Sequence, residues 1–396
     1  MARMRAATTA RRHTAQGYAG QDRTSTLRWV NQFTHTRRLL GPEDREVVTP
    51  NNDTLFSNTW LDLSQGPVLI EVPEIGDRYW TLGFLDAWTN PWAYAGRRTT
   101  GGRAQRVFVH GPRWKGDAPE GAYRISAPGD DVWIIGRILV DNDPADVAAV
   151  CRLQEQFAIR RPDGSDALSR LDTLLDGQGK GVPDATEYLD ILAAMMERNP
   201  PARALAHWPP PADALPAALD QVYTELRADP QPSMVGGGWS IAVMVRTDFG
   251  DDYLTRARVA RNWIGTLGIE EAMYVITEVD AGGEALHGSH RYQLRFGPGE
   301  EFQVDSFWSI TLYGSKDRLL VANPIGRHSI GDRTRGIRRD ADGGLSMRIQ
   351  TDDPGPDANW LPAPRGEPFY LVLRLYQPRS AHLEGSYRYP PVTRLD

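Results

Sequence analysis

The feature that most constrains this fold is a recurring pattern of short apolar runs, each broken by glycine or proline. The pattern begins at Val47 and continues to Leu139, where apolar residues alternate with polar ones or stand in short stretches. Glycine and proline are depleted inside strands and favour turns, so each break indicates the end of a strand. Short strands at close spacing favour an antiparallel sandwich or barrel. The predicted strands are Asn58–Leu63, Pro67–Glu71, Tyr79–Ala87, Trp92–Ala95, Arg106–His110, Tyr123–Ser126 and Val132–Val140.

The same strand pattern returns in the last third of the chain, after Glu271. Side chains alternate between the two faces of a strand. Trp308 and Tyr313 are five positions apart, so we expect them on opposite faces of one strand. If the leucines of the last strand face the core, Arg374 and Tyr376 share its other face. The predicted strands are Ala272–Val279, His290–Phe296, Val304–Tyr313, Arg318–Val321, Leu345–Gln350 and Phe369–Tyr376.

The stretch between these two β regions has the pattern of helices. Asp143 and Pro144 open the first of them, because Asp is a good N-cap and Pro fits the first helical turn. Apolar residues at spacings of three and four support the others. The predicted helices run from Asp143 to about Ala158, Thr186–Arg198, Ala212–Ala228 and Asp252–Leu267, with a short amphipathic helix at Ser25–Leu40.

These patterns predict a mainly β chain with inserted helices, in which two antiparallel β-sandwich modules are joined by a helical segment. The predicted parts are an N-terminal arm with a short helix (residues 1–45), a first β module (46–143), the helical connecting segment (144–268) and a second β module (269–396).

Composition argues against several classes of partner. The net charge of -6 and the pI near 5.8 give no reason to expect nucleic acid. No run of about 18 apolar residues is present, so we expect no membrane span. The basic start lacks the apolar centre of a secretory signal, which favours a cytoplasmic location. Composition leaves a homo-oligomer open.

Motifs for cofactors and for activated nucleophiles are missing from the sequence. The glycines of Gly236–Trp239 lack the Lys and Ser/Thr of a phosphate-binding loop. No Gly-x-Ser-x-Gly, His-Glu-x-x-His or dinucleotide fingerprint occurs. The single cysteine, Cys151, excludes an internal disulfide framework and a cysteine-based zinc site. We therefore expect neither a cofactor nor a metal.

Polar residues that could bind a ligand cluster near the start of the first β region. Asn and Asp favour turns, so one interpretation of the stretch before the first strand is an Asx-turn. The alternative is that its two amides and one carboxylate orient a polar ligand. Arg137 lies in an otherwise apolar strand, either paired with Asp53 or Asp86 or lining a site. The candidates from this region are Asn51, Asn52, Asp53, Asp86, Trp88, Asn90 and Arg137.

The second β region supplies a further set of candidates. His328 lies in a loop and is the best candidate for proton transfer, since an unperturbed imidazole titrates near pH ~6.5. Arg374 lies inside an apolar strand, where a charge needs a carboxylate. The candidates from this region are Trp308, Tyr313, Arg327, His328, Asn359, Trp360 and Arg374.

Several of these stretches resemble two protein families in the order in which those families occur together. Val48–Ser57, Arg78–Trp80, Asp86–Gly96 and Gly111–Trp114 look like the DUF1254 domain. The stretches that resemble the DUF1214 domain are Phe307–Tyr313, Asn323–Pro324, Arg327–Gly331, Asp342–Gly344, Asn359–Pro364 and Leu373–Pro378. The resemblance covers roughly residues 45–158 and 270–394. It implies two β-sandwich modules, the second jelly-roll-like, and it implies no particular activity.

The leading functional hypothesis is a cofactor-independent acid/base enzyme of the lyase, isomerase or hydrolase type. It would act on a small polar or carboxylate-bearing molecule, in a pocket between the β modules or at the mouth of one. Asp53, His328 and Tyr313 would be the catalytic candidates, and the remaining candidates would bind the substrate. One alternative is a non-catalytic β-sandwich that binds carbohydrate or polyol by stacking on aromatic rings. A second is that the motifs are architectural, with Asn359 and the residues after it holding the core together.

Overall fold

The computed structural model describes residues 29–45, 47–170, 184–202, 209, 211, 213–227, 232–241 and 245–396. The chain forms two compact units, each assembled from separate stretches. The first unit draws on Met1–Arg37, Leu55–Asp229 and Thr247–Thr266. The second draws on Arg38–Thr54, Pro230–Arg246 and Leu267–Asp396. The segment that ends at Thr54 therefore belongs to the second unit, although it precedes most of the first along the chain.

The first unit contains the strands predicted between residues 47 and 139, and further short ones. They are β1 Trp29–Val30, β2 Thr34–His35, β3 Thr54–Asp62, β4 Val68–Val72, β5 Trp80–Leu85, β6 Pro91–Gly96, β7 Gln105–His110, β8 Tyr123–Ser126, β9 Asp131–Leu139, β10 Ala158–Arg160 and β11 Ser169–Arg170. Two sheets have the orders β2-β3-β9-β5-β6 and β10-β4-β7-β8, and β1 pairs with β11. The pairs β1–β11, β2–β3, β4–β7, β4–β10, β5–β6 and β5–β9 are antiparallel, and β7 pairs with β8 in parallel.

The helices of the described chain differ in how they begin: three start at a capping aspartate, and the short helix of the second unit has no side-chain cap. They are α1 Pro144–Gln154, α2 Ala185–Arg198, α3 Leu215–Arg227 and α4 Tyr253–Asn262, and a short α5 Ser380–Leu383 lies in the second unit. Asp143 caps α1 by accepting a hydrogen bond from the Ala145 amide, and Asp184 caps α2 by accepting one from the Glu187 amide. None of the helices in the described part of the chain is long and apolar enough to span a bilayer.

A buried ion cluster attaches the end of α2 to the first unit's larger sheet. Arg198 Nη2 lies 2.7 Å from Asp131 Oδ1 and 2.8 Å from Asp62 Oδ1. Asn199 Nδ2 donates to the other Asp131 oxygen at 2.7 Å. The two carboxylates raise the pKa of Arg198 above its usual range, so the guanidinium stays charged.

The second unit is a sandwich of two sheets with an apolar core between them. Its strands are β12 Ser233–Gly236, β13 Trp239–Ile241, β14 Ala272–Thr277, β15 Tyr292–Phe296, β16 Val304–Gly314, β17 Ser329–Gly331, β18 Leu345–Gln350, β19 Asn359–Pro362, β20 Phe369–Pro378 and β21 Val392–Arg394. The six-stranded sheet has the order β12-β13-β14-β20-β16-β17, and the four-stranded sheet has the order β19-β18-β15-β21. Trp308 and Leu373 from the larger sheet share the core with Leu294 and Met347 from the smaller.

The mainly β architecture with inserted helices is confirmed, and three local predictions are wrong. Residues 29–40 of the predicted helix Ser25–Leu40 form β1, β2 and turns, because Asn31 is left-handed (φ 61°) and both strands pair with distant partners; residues 25–28 lie outside the described residues. Arg318–Val321 is not a strand, since Arg318 also has a positive φ and Leu320 forms only an isolated bridge with Tyr313. The connecting segment holds helices, but also β10 to β13.

A buried histidine makes the stability of the second unit depend on pH. His382 is 2% exposed, its Nε2 accepts a hydrogen bond from the Gln303 amide at 3.1 Å, and its Nδ1 lies 2.9 Å from the Tyr389 hydroxyl. Burial lowers its pKa to about 4. The unfolded chain therefore takes up this proton first as the pH falls, and stability is lost between about pH 6.5 and pH 4.

We expect the free energy of unfolding to fall by roughly 3 kcal/mol across that window on account of His382. His382→Gln keeps an acceptor for the Gln303 amide and a donor for Tyr389 but cannot titrate. Denaturant unfolding at pH 7 and at pH 4 should therefore show a smaller loss in the variant than in the wild type. Equal losses in the two proteins would contradict this assignment.

Candidate functional site

One face of the six-stranded sheet in the second unit carries polar side chains in the middle of its two longest strands. Ser309, Thr311 and Tyr313 alternate along β16, and Arg374 and Tyr376 alternate along β20. Ser309 pairs with Arg374 in the ladder, so the two rows lie side by side on the face opposite the apolar core. All five residues are 4% exposed or less. We call this set the polar face.

A segment of residues 49–54 places Asp53 on the polar face. Asp53 Oδ2 accepts hydrogen bonds from the Ser309 hydroxyl at 2.7 Å and from the Tyr376 hydroxyl at 3.2 Å. The same tyrosine oxygen accepts a hydrogen bond from Asn51 Nδ2 at 2.6 Å. No residue that the structure describes donates a hydrogen bond to Asp53 Oδ1. Asp53 therefore has one oxygen held by two hydroxyls and one that is free of donors from the described residues.

Asn51 also folds the segment locally. Its Oδ1 accepts hydrogen bonds from the Asp53 amide at 2.8 Å and the Thr54 amide at 3.0 Å. This is the Asx-turn that one interpretation of the sequence predicted. The turn and the contact with Tyr376 are made by the same side chain, so Asn51 both shapes the segment and joins the site.

The Arg374 guanidinium is the cation of the polar face. Nη1 donates to Thr311 Oγ1 at 2.9 Å, and Nη2 donates to the Tyr313 hydroxyl at 2.8 Å and to the Thr49 carbonyl at 3.1 Å. Burial alone would lower its pKa, but Tyr313, Tyr376 and Asp53 nearby raise it above its ordinary value. Arg374 Nε is buried without a hydrogen-bond acceptor among the described residues. Arg374 therefore stays charged and keeps one unused donor.

Tyr313 positions the segment. Its hydroxyl donates to the Pro50 carbonyl at 2.5 Å while it accepts from Arg374. Burial raises its pKa to about 12, so it keeps its proton at neutral pH. Thr49, which precedes Pro50, has a left-handed backbone (φ 51°), and this conformation is rare for a β-branched residue. Strain of this kind is often found at functional sites, where surrounding contacts hold it in place.

Arg327 and His328 make a different set of contacts in the second unit. His328 Nδ1 lies 3.1 Å from the Val321 carbonyl and 3.3 Å from Asn323 Nδ2, and burial lowers its pKa. Arg327 Nη1 donates to the Trp360 carbonyl at 2.9 Å. Neither residue hydrogen-bonds to a polar-face side chain within the described ranges. The hydrogen bonds of Arg327 and His328 therefore stabilise the loop that carries them.

Asn359 and Trp360 hold together loops and strands around the four-stranded sheet. Asn359 Nδ2 donates to the Arg338 carbonyl at 2.7 Å and the Ser346 carbonyl at 2.8 Å, and its Oδ1 accepts from the Arg338 amide at 2.8 Å. The Trp360 indole donates to the Gln350 carbonyl at 2.8 Å. These contacts support the architectural interpretation of this motif.

Two more candidates of the second unit lie away from the acceptor oxygens of Asp53. Trp308 is 2% exposed and packs in the apolar core, on the side of β16 opposite Tyr313, as its spacing from Tyr313 predicts. Asn52 directs its amide to the Leu40 carbonyl at 2.6 Å. The structure thus brings Asn51, Asp53, Tyr313 and Arg374 into one network.

The remaining candidates belong to the first unit. Asp86 accepts hydrogen bonds from the Trp88 amide (2.8 Å) and from the Asn90 amide (2.9 Å) and side chain (2.8 Å), and burial raises its pKa. The Arg256 guanidinium lies 5.5 Å from the Trp88 ring centre. Arg137 lies over the Phe56 ring at 5.4 Å. Asp86 thus closes a turn in this unit, which is the ordinary structural role of an Asp near an Asn.

Three members of the network were not predicted as site residues: Ser309, Thr311 and Tyr376. The signal for them is visible in the sequence, because β16 alternates hydroxyl-bearing residues with Trp308, Ile310 and Leu312. A period of two in polarity along a strand indicates a second, polar face.

In the described residues, no group of three or more His, Cys, Asp or Glu side chains is arranged as a metal site.

Replacing Arg374 by Met tests whether its charge holds the polar face together. We expect a loss of roughly 3–5 kcal/mol in the free energy of unfolding, the usual cost of removing one partner from a buried charged network. The control is Arg379→Gln, which breaks an exposed pair with Asp305 and should cost no more than about 1 kcal/mol. Urea denaturation measures both, and equal small losses would contradict the role given to Arg374.

Replacing Asn359 by Ala tests the architectural role of its three hydrogen bonds. We expect a loss of about 2–4 kcal/mol, since a typical internal hydrogen bond contributes about 1 kcal/mol. Asn262→Ala, which removes a single hydrogen bond of 3.5 Å to the Leu226 carbonyl, is the control. If the two variants melt at the same temperature in a thermal denaturation experiment, Asn359 does not hold the loops together.

Comparison with known proteins places this chain in a family. Residues 30–161 match the model described as "Protein of unknown function (DUF1254)", and residues 271–380 match "Protein of unknown function (DUF1214)". No curated protein matches the chain. A crystal structure of the VPA0106 protein from Vibrio parahaemolyticus is similar, with 25% identity, a TM-score of 0.65, and coverage of 88% of this chain and 90% of that one. A putative uncharacterized protein from Burkholderia cenocepacia has 11% identity and a TM-score of 0.47, with coverage of 99% and 87%.

The network around Asp53 draws on both matched regions. Asn51 and Asp53 lie within the first matched region, and Ser309, Arg374 and Tyr376 lie within the second. Both family models are therefore represented in it. The chain belongs to the family of proteins that carry a DUF1254 domain followed by a DUF1214 domain.

Proposed function

We propose that this chain is an acid/base enzyme that works without an organic cofactor on a small polar or carboxylate-bearing molecule. Asp53 is the group that accepts the proton from the substrate. The observation that carries the proposal is the asymmetry of its carboxylate, in which Ser309 and Tyr376 hold Oδ2 while Oδ1 has no donor among the described residues. A general base needs a fixed orientation and one oxygen left for the substrate proton.

The hydroxyls around Asp53 suit this role. Hydrogen bonds from Ser309 and Tyr376 fix the carboxylate in one orientation before the substrate arrives, and such preorganisation lowers the barrier to proton transfer. Asn51 orients the Tyr376 hydroxyl in turn, and the Phe307 ring stacks on the Tyr376 ring with centres 4.0 Å apart. Asn51 and Phe307 therefore both hold Tyr376 in position. Its hydroxyl stays directed at Asp53 when the charge of that carboxylate changes.

Arg374 supports the choice of a carboxylate-bearing substrate. Removing a proton from a carbon beside a carboxylate or carbonyl places negative charge on the neighbouring oxygens. A buried cation stabilises such charge better than an exposed one because the surrounding dielectric is low. Arg374 is 2% exposed and keeps Nε without an acceptor in the described chain. Elimination or isomerisation uses this arrangement most directly, and hydrolysis is the third class that it accommodates.

His328 is the second proton-transfer candidate in this proposal. A hydrogen bond from Nδ1–H to the Val321 carbonyl would leave Nε2 as a free acceptor. Since burial lowers the pKa of His328, the ring is neutral at pH 7 and able to take a proton. Asp53 remains the primary assignment because its contacts with the polar face are direct.

The alternative of a sugar-binding module stays a prediction, and the aromatic residues proposed for it give it less support. Trp308 and Trp360 are 2% and 6% exposed, so neither offers an open ring face for stacking. The ring of Trp88 lies against the Arg256 guanidinium. Neutral sugars are usually bound by open aromatic faces, whereas two of these rings are buried and the third has Arg256 over one face.

Hydrogen exchange tests the proposal across a set of candidate substrates at once. The protein is incubated in D2O with a panel of small hydroxy- and keto-carboxylates, and proton NMR follows the loss of signals from carbons beside the carboxylate. We expect at least one compound to exchange in the presence of the wild-type protein. Asp53→Asn should slow that exchange by about 10²–10⁴-fold, the usual contribution of a general base.

Asp317→Asn is the matched control, because this carboxylate is about half exposed and pairs with Arg45 outside the polar face. It should leave the exchange rate unchanged. Thermal melting of Asp53→Asn confirms that the variant is folded, since Asn retains an acceptor for Ser309 and Tyr376. Exchange in Asp53→Asn at the wild-type rate, or no exchange of any compound by the wild type, would overturn the proposal.

A further inference from the structure

A second concave surface lies on the other outer side of the sandwich in the second unit. It is a cavity of about 620 Å³ whose floor is the outward face of β15 and β18 and whose walls are two loops. The floor carries Gln293, Arg295, Ser346 and Arg348, and the walls carry Arg338 and Asp357 among others. We call this the charged groove. Its volume is within the usual range of about 300–1,000 Å³ for small-ligand sites.

Arg348 is the residue of the groove that is best placed to bind an anion. It is half-buried, and no hydrogen bond or ion pair joins its guanidinium to another residue of the described chain. The other arginines of the groove have partners: Arg295 contacts Asp340 at 3.5 Å and also Asp342, and Arg339 contacts Glu301 at 2.6 Å. A half-buried guanidinium without a protein acceptor favours an anion, which it can bind through two parallel hydrogen bonds.

Gln293 gives the groove an acceptor beside this donor. It is the direct ladder partner of Arg348, so the two side chains stand next to each other on one face, with Cβ atoms about 5 Å apart. Its Nε2 donates to Ser346 Oγ at 2.8 Å, and Ser346 donates to Asp340 Oδ2 at 2.7 Å. Gln293 Oε1 accepts no hydrogen bond from the described residues. The floor therefore presents a cationic fork next to an open amide oxygen.

The walls can rearrange around a ligand at little cost. Arg338 pairs with Asp357 at 2.8 Å, but their side chains are 59% and 84% exposed. An exposed pair of this kind contributes about 0–1 kcal/mol, so either partner can turn to a ligand. Arg338 would add a second positive group, and the Asp357 carboxylate would accept hydrogen bonds from ligand hydroxyls.

We infer that the charged groove binds an acidic sugar or a similar polyhydroxylated carboxylate. Arg348, with Arg338 beside it, takes the carboxylate, while Gln293 and Asp357 accept hydrogen bonds from hydroxyls. The lining contains no aromatic ring, which disfavours a neutral sugar held by stacking. The acidic wall residues disfavour polyanions, whose charge they would repel. The site is independent of the proposed catalysis at Asp53, which lies on the outer face of the other sheet.

Isothermal titration calorimetry with D-glucuronate, D-glucose and sulfate tests this inference. We expect saturable binding of glucuronate, and binding of glucose and of sulfate that is at least 10-fold weaker. Arg348→Gln should weaken glucuronate at least 10-fold, and Gln293→Ala should weaken it by a smaller factor. Arg379→Gln, an exposed arginine outside the groove, should bind like the wild type.

The alternative outcomes are distinct. Absence of saturable glucuronate binding to the wild type overturns the inference. Equal binding of sulfate and glucuronate means a simple oxyanion site without recognition of hydroxyls, and it overturns the acidic-sugar class. Unchanged affinity in Arg348→Gln moves the ligand away from the groove. Thermal melting of Arg348→Gln without ligand separates lost binding from lost folding, since this outward-facing residue should leave the melting temperature unchanged.

Discussion

A positive charge buried in a β-sheet imposes the constraint on which the second unit depends. Arg374 is surrounded by β16, β14 and the 49–54 segment, and a guanidinium in that position needs acceptors for its donors. Thr311 and Tyr313 come from the neighbouring strand, and the Thr49 carbonyl comes from a segment far away in the sequence. The hydrogen bond to Thr49 ties the segment to the sheet, and the same segment carries Asp53, which accepts hydrogen bonds from Ser309 and Tyr376.

The sequence is sufficient to predict much of this fold. Alternation of apolar and polar residues located β16 and β20 and separated Trp308 from Tyr313, because a strand has a strict period of two. The cap at Asp143 located α1, because capping depends on neighbouring residues alone. The short strands β1 and β2 were missed, because their pairing partners β11 and β3 are selected by tertiary contacts. Local propensity favoured a helix there, and strand pairing overrode it.

The site was also predictable only in part, because local patterns reveal some of its residues and tertiary contacts select the others. Asp53 and Arg374 stand out because a charge in or beside an apolar strand requires compensation. Their partners do not stand out, since Asp53 and Ser309 are separated by 256 positions and no local pattern links them. Asn359 illustrates the opposite case: its motif attracts attention, and the structure uses it to join the backbone at Arg338 and Ser346.

The sandwich of the second unit thus has two outer faces with different chemistry. The polar face is buried, compact and held by charged hydrogen bonds, which suits proton transfer at a fixed carboxylate. The charged groove is open, with an arginine fork beside an amide oxygen, which suits reversible binding of a hydroxylated anion. One apolar core supports both, because strand alternation directs every second side chain outward from each sheet.

A double-mutant cycle between Asp53 and Ser309 tests the role of the polar face most directly. The free energies of unfolding of Asp53→Ala, Ser309→Ala and the double variant are compared with that of the wild type by denaturant titration. A carboxylate held by this hydroxyl predicts a coupling of roughly 1–3 kcal/mol. Additive effects, with a coupling within about 0.5 kcal/mol of zero, would contradict the position assigned to Asp53.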